Sequence, residues 1–66
     1  MTHFNNAIAA YRMHIRCKVD PTLGDAENYY KLARHFARAY AKENGTTQFS
    51  VMMDVIDHHA ANPIYS

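Results

Sequence analysis

The stretch Thr22–Asn44, TLGDAENYYKLARHFARAYAKEN, decides how the rest of this chain is read. Leu23, Ala26, Tyr29, Tyr30, Leu32, Ala33, Phe36, Ala37 and Tyr40 recur at steps of three and four. That spacing sets them along one broad side of an α-helix. Lys31, Arg34, His35, Arg38 and Lys42 recur in the same way on the other side. A helix with so wide an apolar face needs neighbours to cover it. The flanking sequence supplies two.

Upstream, Phe4, Ala7, Ile8, Tyr11, Ile15 and Val19 form a narrower apolar stripe, with Asn5, Ala9, Arg12 and Arg16 toward solvent. This predicts a first helix over about residues 4–18. Val19-Asp20-Pro21 ends it, because proline lacks a donor and pushes Asp20 out of the helical region. The second helix, expected over about 22–43, has two possible starts. Either Thr22 caps it with Asp25 at the third helical position, as in a capping box, or Asp20 caps it with Pro21 at the first position and Gly24 inside the first turn. Asn44-Gly45 stops it, since Gly45 can take the left-handed position after a helix.

Thr46 or Thr47 then caps a third helix over about 48–60. Its expected core face is Phe49, Met52, Met53, Ile56 and Ala60, and its polar side is Ser50, Asp54, Asp57 and Ala61. Asn62-Pro63 terminates it, and Ile64-Tyr65 is expected to be a short apolar tail against the bundle. No alternating run argues for a strand. The predicted fold is all-α, one three-helix domain over residues 1–66.

Sixty-six residues make a small core. A domain of this size buries only about 60% of the surface of its unfolded chain, and small scaffolds compensate with disulfides, metals or self-association. Cys17 is the only cysteine, which excludes an intramolecular disulfide and suits a reducing cytoplasm, the expected location. The start, MTHFNNAIAAYRMHIR, lacks the basic-then-apolar layout of a secretory signal, and no run approaches the ~20 apolar residues of a membrane span. The net charge of +1 hides an uneven layout. Residues 1–42 hold all seven Lys and Arg against Asp20, Asp25 and Glu27, whereas residues 43–66 hold Glu43, Asp54 and Asp57 and no Lys or Arg.

The chemistry-bearing residues form few constellations. Asp54 and His58 are four apart and His14 and Cys17 three apart, so each pair shares a helix face. Structural zinc needs four ligands, and these are pairs without a Cys-x-x-Cys or His-Glu-x-x-His, so neither metal nor cofactor is expected. His14 with Cys17 lacks the third group that would orient a nucleophile and base. The two glycines, Gly24 and Gly45, make no phosphate loop. The expectation is a protein without enzymatic activity.

Ala41, Gly45 and Val51 sit at spacings similar to the alanine, turn glycine and buried aliphatic of helix-turn-helix proteins. Asp54 and Asn44 occupy positions where that pattern wants apolar residues, and the helix meant to enter a groove carries Asp54 and Asp57 without Lys or Arg. A nucleic-acid-binding regulator of this degenerate type, using Arg12, Arg16, Lys31, Arg34 and Arg38 on phosphates, is therefore the second reading. The first rests on surplus apolar and aromatic residues. Tyrosine and methionine suit interfaces, and helix 2 carries more large side chains than one neighbour can cover. We therefore expect a regulatory protein-interaction adaptor, homodimeric, of the size of phage or mobile-element accessory proteins that modulate a host or viral partner. Its interface residues would be Tyr29, Leu32, Phe36, Tyr40, Met52 and Met53. If the Phe36 ring is buried, Phe36→Ala should cost about 3–5 kcal/mol.

Overall fold

A computed structural model of the chain describes residues 2–61. Three helices account for most of them: α1 (Thr2–Val19), α2 (Ala26–Asn44) and α3 (Gln48–Ala61), with a 3-10 turn at Pro21–Leu23 between the first two. The expected all-α three-helix fold is present. Asn62-Pro63 and the Ile64-Tyr65 tail lie outside the described residues.

The second helix starts at Ala26 and not at Thr22, and the reason is local. Asp20 does act as a cap, accepting from Thr22 N at 3.1 Å and from Thr22 Oγ1 at 2.6 Å, but it caps only the 3-10 turn that begins at Pro21. Gly24 then adopts φ 148°, a conformation outside the helical region that side chains rarely reach. A Cβ there would also lie 3.3 Å from Tyr29 Cε2 and 3.7 Å from Cys17 Sγ. The chain re-enters a helix at Asp25, whose carboxylate accepts from Glu27 N at 3.0 Å. Asp25 is thus the N-cap, where the capping-box reading had put it three positions inside.

The far end behaves as its residues dictate. Gly45 is left-handed at φ 64°, ψ 32° and donates its N–H to Ala41 O, while Thr46 N bonds the same carbonyl at 3.0 Å. Thr47 Oγ1 accepts from Ser50 N at 3.1 Å and so begins α3.

Packing departs from the expected faces. α1 and α2 run antiparallel, since residues 3 and 4 meet 43 and 40 whereas His14 meets Ala26. Their seam is made of alanine: Ala7 and Ala10 on α1, with Ala33, Ala37 and Ala41 on α2, are all buried. Small side chains let two helix backbones approach closely, so larger ones are displaced to the margins. Phe4, Tyr11, Tyr30, Phe36 and Tyr40 sit there, partly buried against the core. α3 begins beside the middle of α2, where Gln48 Nε2 donates to Arg34 O at 2.9 Å. It ends against α1, where His58 and His59 meet Phe4 and Tyr11. It closes the core with Val51, Met52 and Val55.

Two expected faces are therefore corrected. On α3 the core falls on Val51, Met52 and Val55, and Phe49, Met53 and Ala60 point outward. On α1, Val19 is exposed, while Ala10 and Cys17 are buried. Leu23, drawn into the 3-10 turn, is exposed too.

Candidate interaction surfaces

Three surfaces carry large or charged side chains outside the core. The first is a groove of about 310 Å³ between α1 and α2. Asn6, Ala9, Ala10 and Met13 line it from α1, and Tyr29, Leu32 and Phe36 line it from α2. Both sets recur at helical intervals, so the groove follows the helix pair along its length. Leu32 is 40% exposed, and Tyr29 and Phe36 are half-buried. Near the N-terminus of α1, His3 stacks on Phe36 with ring centroids 6.3 Å apart and brings Nε2 to 3.0 Å from Glu43 Oε1.

The second surface is a ridge on α3. Phe49 is 76% exposed and Met53, one turn on, is 44% exposed. Ile56 continues the line half-buried, and Ala60 extends it. Beside the ridge, Tyr30, Arg34, Gln48, Phe49 and Met52 line a second groove of about 250 Å³ where α3 meets α2.

The expected interface residues are thus distributed. Tyr29, Leu32 and Phe36 come together in the first groove. Tyr40 packs on Phe4 at the margin of the core, with centroids 5.3 Å apart. Met52 is a core residue that also touches the second groove, and Met53 faces solvent on the ridge. The apolar spacing of α1 does not predict its wall of the first groove. Its signal was present in Asn6, Ala9, Ala10 and Met13 at helical steps, but it is weak because three of the four are small or polar.

The third surface is the outer face of α2. Lys31, Arg34, His35, Arg38 and Lys42 are all exposed, and His35, Arg38, Ala39 and Lys42 line a shallow depression of about 260 Å³. Lys31 pairs loosely with Glu27 at 3.7 Å. Arg12 is half-buried and Arg16 exposed, both on α1, and neither lines a groove with the α2 cations.

Four half-buried titratable rings form a cluster at the margin of the core. Tyr11 meets His14 at 5.7 Å and His59 at 5.5 Å, and His14 meets Tyr30 at 4.9 Å, between ring centroids. His14 Nδ1 lies 2.8 Å from Ala26 O. A carbonyl only accepts, so Nδ1 carries the hydrogen. Burial, and to a lesser degree the neighbouring Tyr30 phenol, push the Tyr11 hydroxyl above its usual pKa. Cys17 lies 2% exposed under the Gly24 linker. Such burial withholds the thiol from any substrate. Among the described residues, no three His, Cys, Asp or Glu side chains converge on one point as metal ligands. No helix among them is long and apolar enough to cross a membrane.

The helix-turn-helix-like positions also find their place. Ala41 and Val51 are buried and Gly45 is left-handed, as a tight α2–α3 connection requires, while Asn44 and Asp54 are exposed. No family model, curated protein or solved structure matches the chain.

Proposed function

We propose that this chain is a small non-enzymatic helical adaptor that pairs with a second copy of itself along the α1/α2 groove and presents its α3 ridge to a further protein. The observation that supports the reading is the outward display of large apolar side chains: Phe49 at 76%, Met53 at 44% and Leu32 at 40% exposure in a chain of 66 residues. Covering such side chains is worth about 25 cal/mol per Å² of apolar surface removed from water. A marginal domain gains stability from doing so.

The groove is the better seam for self-association. Asn6, Ala9, Ala10 and Met13 beside Tyr29, Leu32 and Phe36 form an apolar strip along an antiparallel helix pair. Two such pairs placed face to face by a two-fold axis make a four-helix bundle, an isologous contact that closes on itself. The ridge, a single line of side chains on one helix, suits a groove on another protein.

Light scattering behind size exclusion over a wide concentration range tests this. The wild type should run as a dimer, Leu32→Glu as a folded monomer, and Phe49→Glu as a dimer. Leu32 and Phe49 are exposed, so neither substitution removes core packing. A wild type that stays monomeric at every concentration would overturn self-association. Dissociation by Phe49→Glu and not by Leu32→Glu would move the seam to the ridge and overturn the assignment of the groove.

A further inference from the structure

The cations of α2 are not balanced by the fold. Of the acids on this helix, Glu27 lies beside Lys31, and Glu43 is engaged by His3. Asp25, just before it, caps the first turn. Among the described residues no carboxylate comes within ion-pair distance of Arg34, Arg38 or Lys42. These three follow one another at four-residue intervals, so their Cα atoms advance by about 6 Å at each step along the helix. Lys31 and His35 flank them, and all five are exposed.

We propose that the outer face of α2 binds the phosphate backbone of duplex nucleic acid, with Arg34, Arg38 and Lys42 as the phosphate contacts. This goes beyond the adaptor reading and does not depend on it. Three features of the face select this occupant. The depression is lined by His35, Arg38, Ala39 and Lys42, with Ala39 its one aliphatic side chain, so it lacks the apolar centre of a protein interface and has nothing to insert into a membrane. Single strands bind on aromatic platforms, and beside Arg38 and Lys42 the depression holds no ring of Tyr or Phe. Tyr29 and Phe36 line the groove toward α1, Tyr30 and Phe49 border Arg34 alone in the groove toward α3, and the His35 ring lies T-shaped to Phe36 with centroids 5.5 Å apart. What remains is a row of charge, which suits backbone contacts that position a duplex without reading its bases.

The binding this predicts is sequence-independent and steep in salt. Three phosphate contacts give a slope of log K against log salt of about −2.7, so affinity should fall about 40-fold between roughly 50 and 200 mM salt. A dimer that brings both rows to one duplex would double the slope. The test is fluorescence anisotropy of the full chain with a labelled duplex, the matching single strand, and anionic phosphatidylserine vesicles followed by co-sedimentation.

Two double variants of equal net charge decide whether the row is responsible. Arg34→Gln with Arg38→Gln should lower duplex affinity at low salt more than tenfold and flatten the slope by about two. Arg16→Gln with Lys18→Gln, on α1, should leave both within about twofold, and circular dichroism should show native helix content in each. Absence of duplex binding at low salt would overturn the proposal. So would an equal loss in both variants, which would assign the binding to net charge. Tighter binding to the single strand or to vesicles would reject a duplex as the occupant.

Discussion

The α1/α2 seam and α3 solve the same burial problem in opposite ways. From α1 and α2 the core takes five alanines, Ala7, Ala10, Ala33, Ala37 and Ala41, with Ile8 the one larger member, and the aromatic rings stand at its margins. On α3 the medium-sized Val51, Met52 and Val55 are buried and the largest, Phe49, is outside. Hydrophobic bulk therefore does not predict depth in this molecule. Where two helices come close there is no room for a ring, and a helix added across such a pair can offer it only side chains that fit. The rings and thioethers left over become the surface that another molecule can use.

Four substitutions would break or sharpen this contrast. Ala37→Leu should have the largest effect, because three further carbons must enter a site with no exposed surface. We expect a loss of about 3 kcal/mol, seen as a drop of more than about 10 °C in Tm by circular dichroism. A small loss would mean that the seam is loose and that the alanines are incidental. Next, Gly24→Ala forces a side chain into φ 148° against Tyr29 and should cost about 2 kcal/mol in urea unfolding.

Phe36→Ala comes third. Its ring is only half-buried, so the expectation of about 3–5 kcal/mol that full burial would justify falls to about 1–2 kcal/mol, measured under conditions where the chain is monomeric. Phe49→Ala, a larger apolar residue by any scale than Ala37, should change monomer stability by less than about 0.5 kcal/mol. If Phe49→Ala proved as costly as Ala37→Leu, the contrast between the two regions would be gone.

The smallest effect concerns pH. The Tyr11 hydroxyl ionises less readily when folded than in the unfolded chain, where its pKa is about 10. The folded state then holds its proton while the unfolded state releases one. Stability from this group is therefore complete below pH ~10 and is lost as pH rises beyond it. Urea unfolding between neutral and alkaline pH should show that decline, and Tyr11→Phe should lessen it.

How much of this was legible in the sequence depends on the range of the forces involved. The three helices and most of their ends were, because capping is local chemistry. Asp20-Pro21 breaks α1, Gly45 turns left-handed at φ 64°, and Thr47 bonds the N–H three residues on. The start of α2 was not legible because of Gly24: both candidate starts need it helical, and it adopts φ 148° instead, at a place where a Cβ would meet Tyr29 and Cys17 from two helices. Of the candidate site, the cationic row was visible as a period in the sequence. The grouping of Tyr29, Leu32 and Phe36 was visible as spacing, but the wall facing them from α1 was not.

What the sequence by itself determined is the number of helices, the stops of α1 and α2 and the charged side of α2, since each follows from neighbours within a few residues along the chain. Which side of α3 is buried was decided only by tertiary structure, whereas the buried Ala7 and Ile8 of α1 and Ala33 and Ala37 of α2 lie on the faces their spacing predicts. α3 carries two overlapping apolar faces, Val51-Met52-Val55 and Phe49-Met53-Ile56, and its own periodicity gives no reason to prefer either. The choice was made by fit to the close alanine-packed pair of α1 and α2, where branched aliphatic side chains and one flexible thioether could be accommodated and a phenyl ring was turned away.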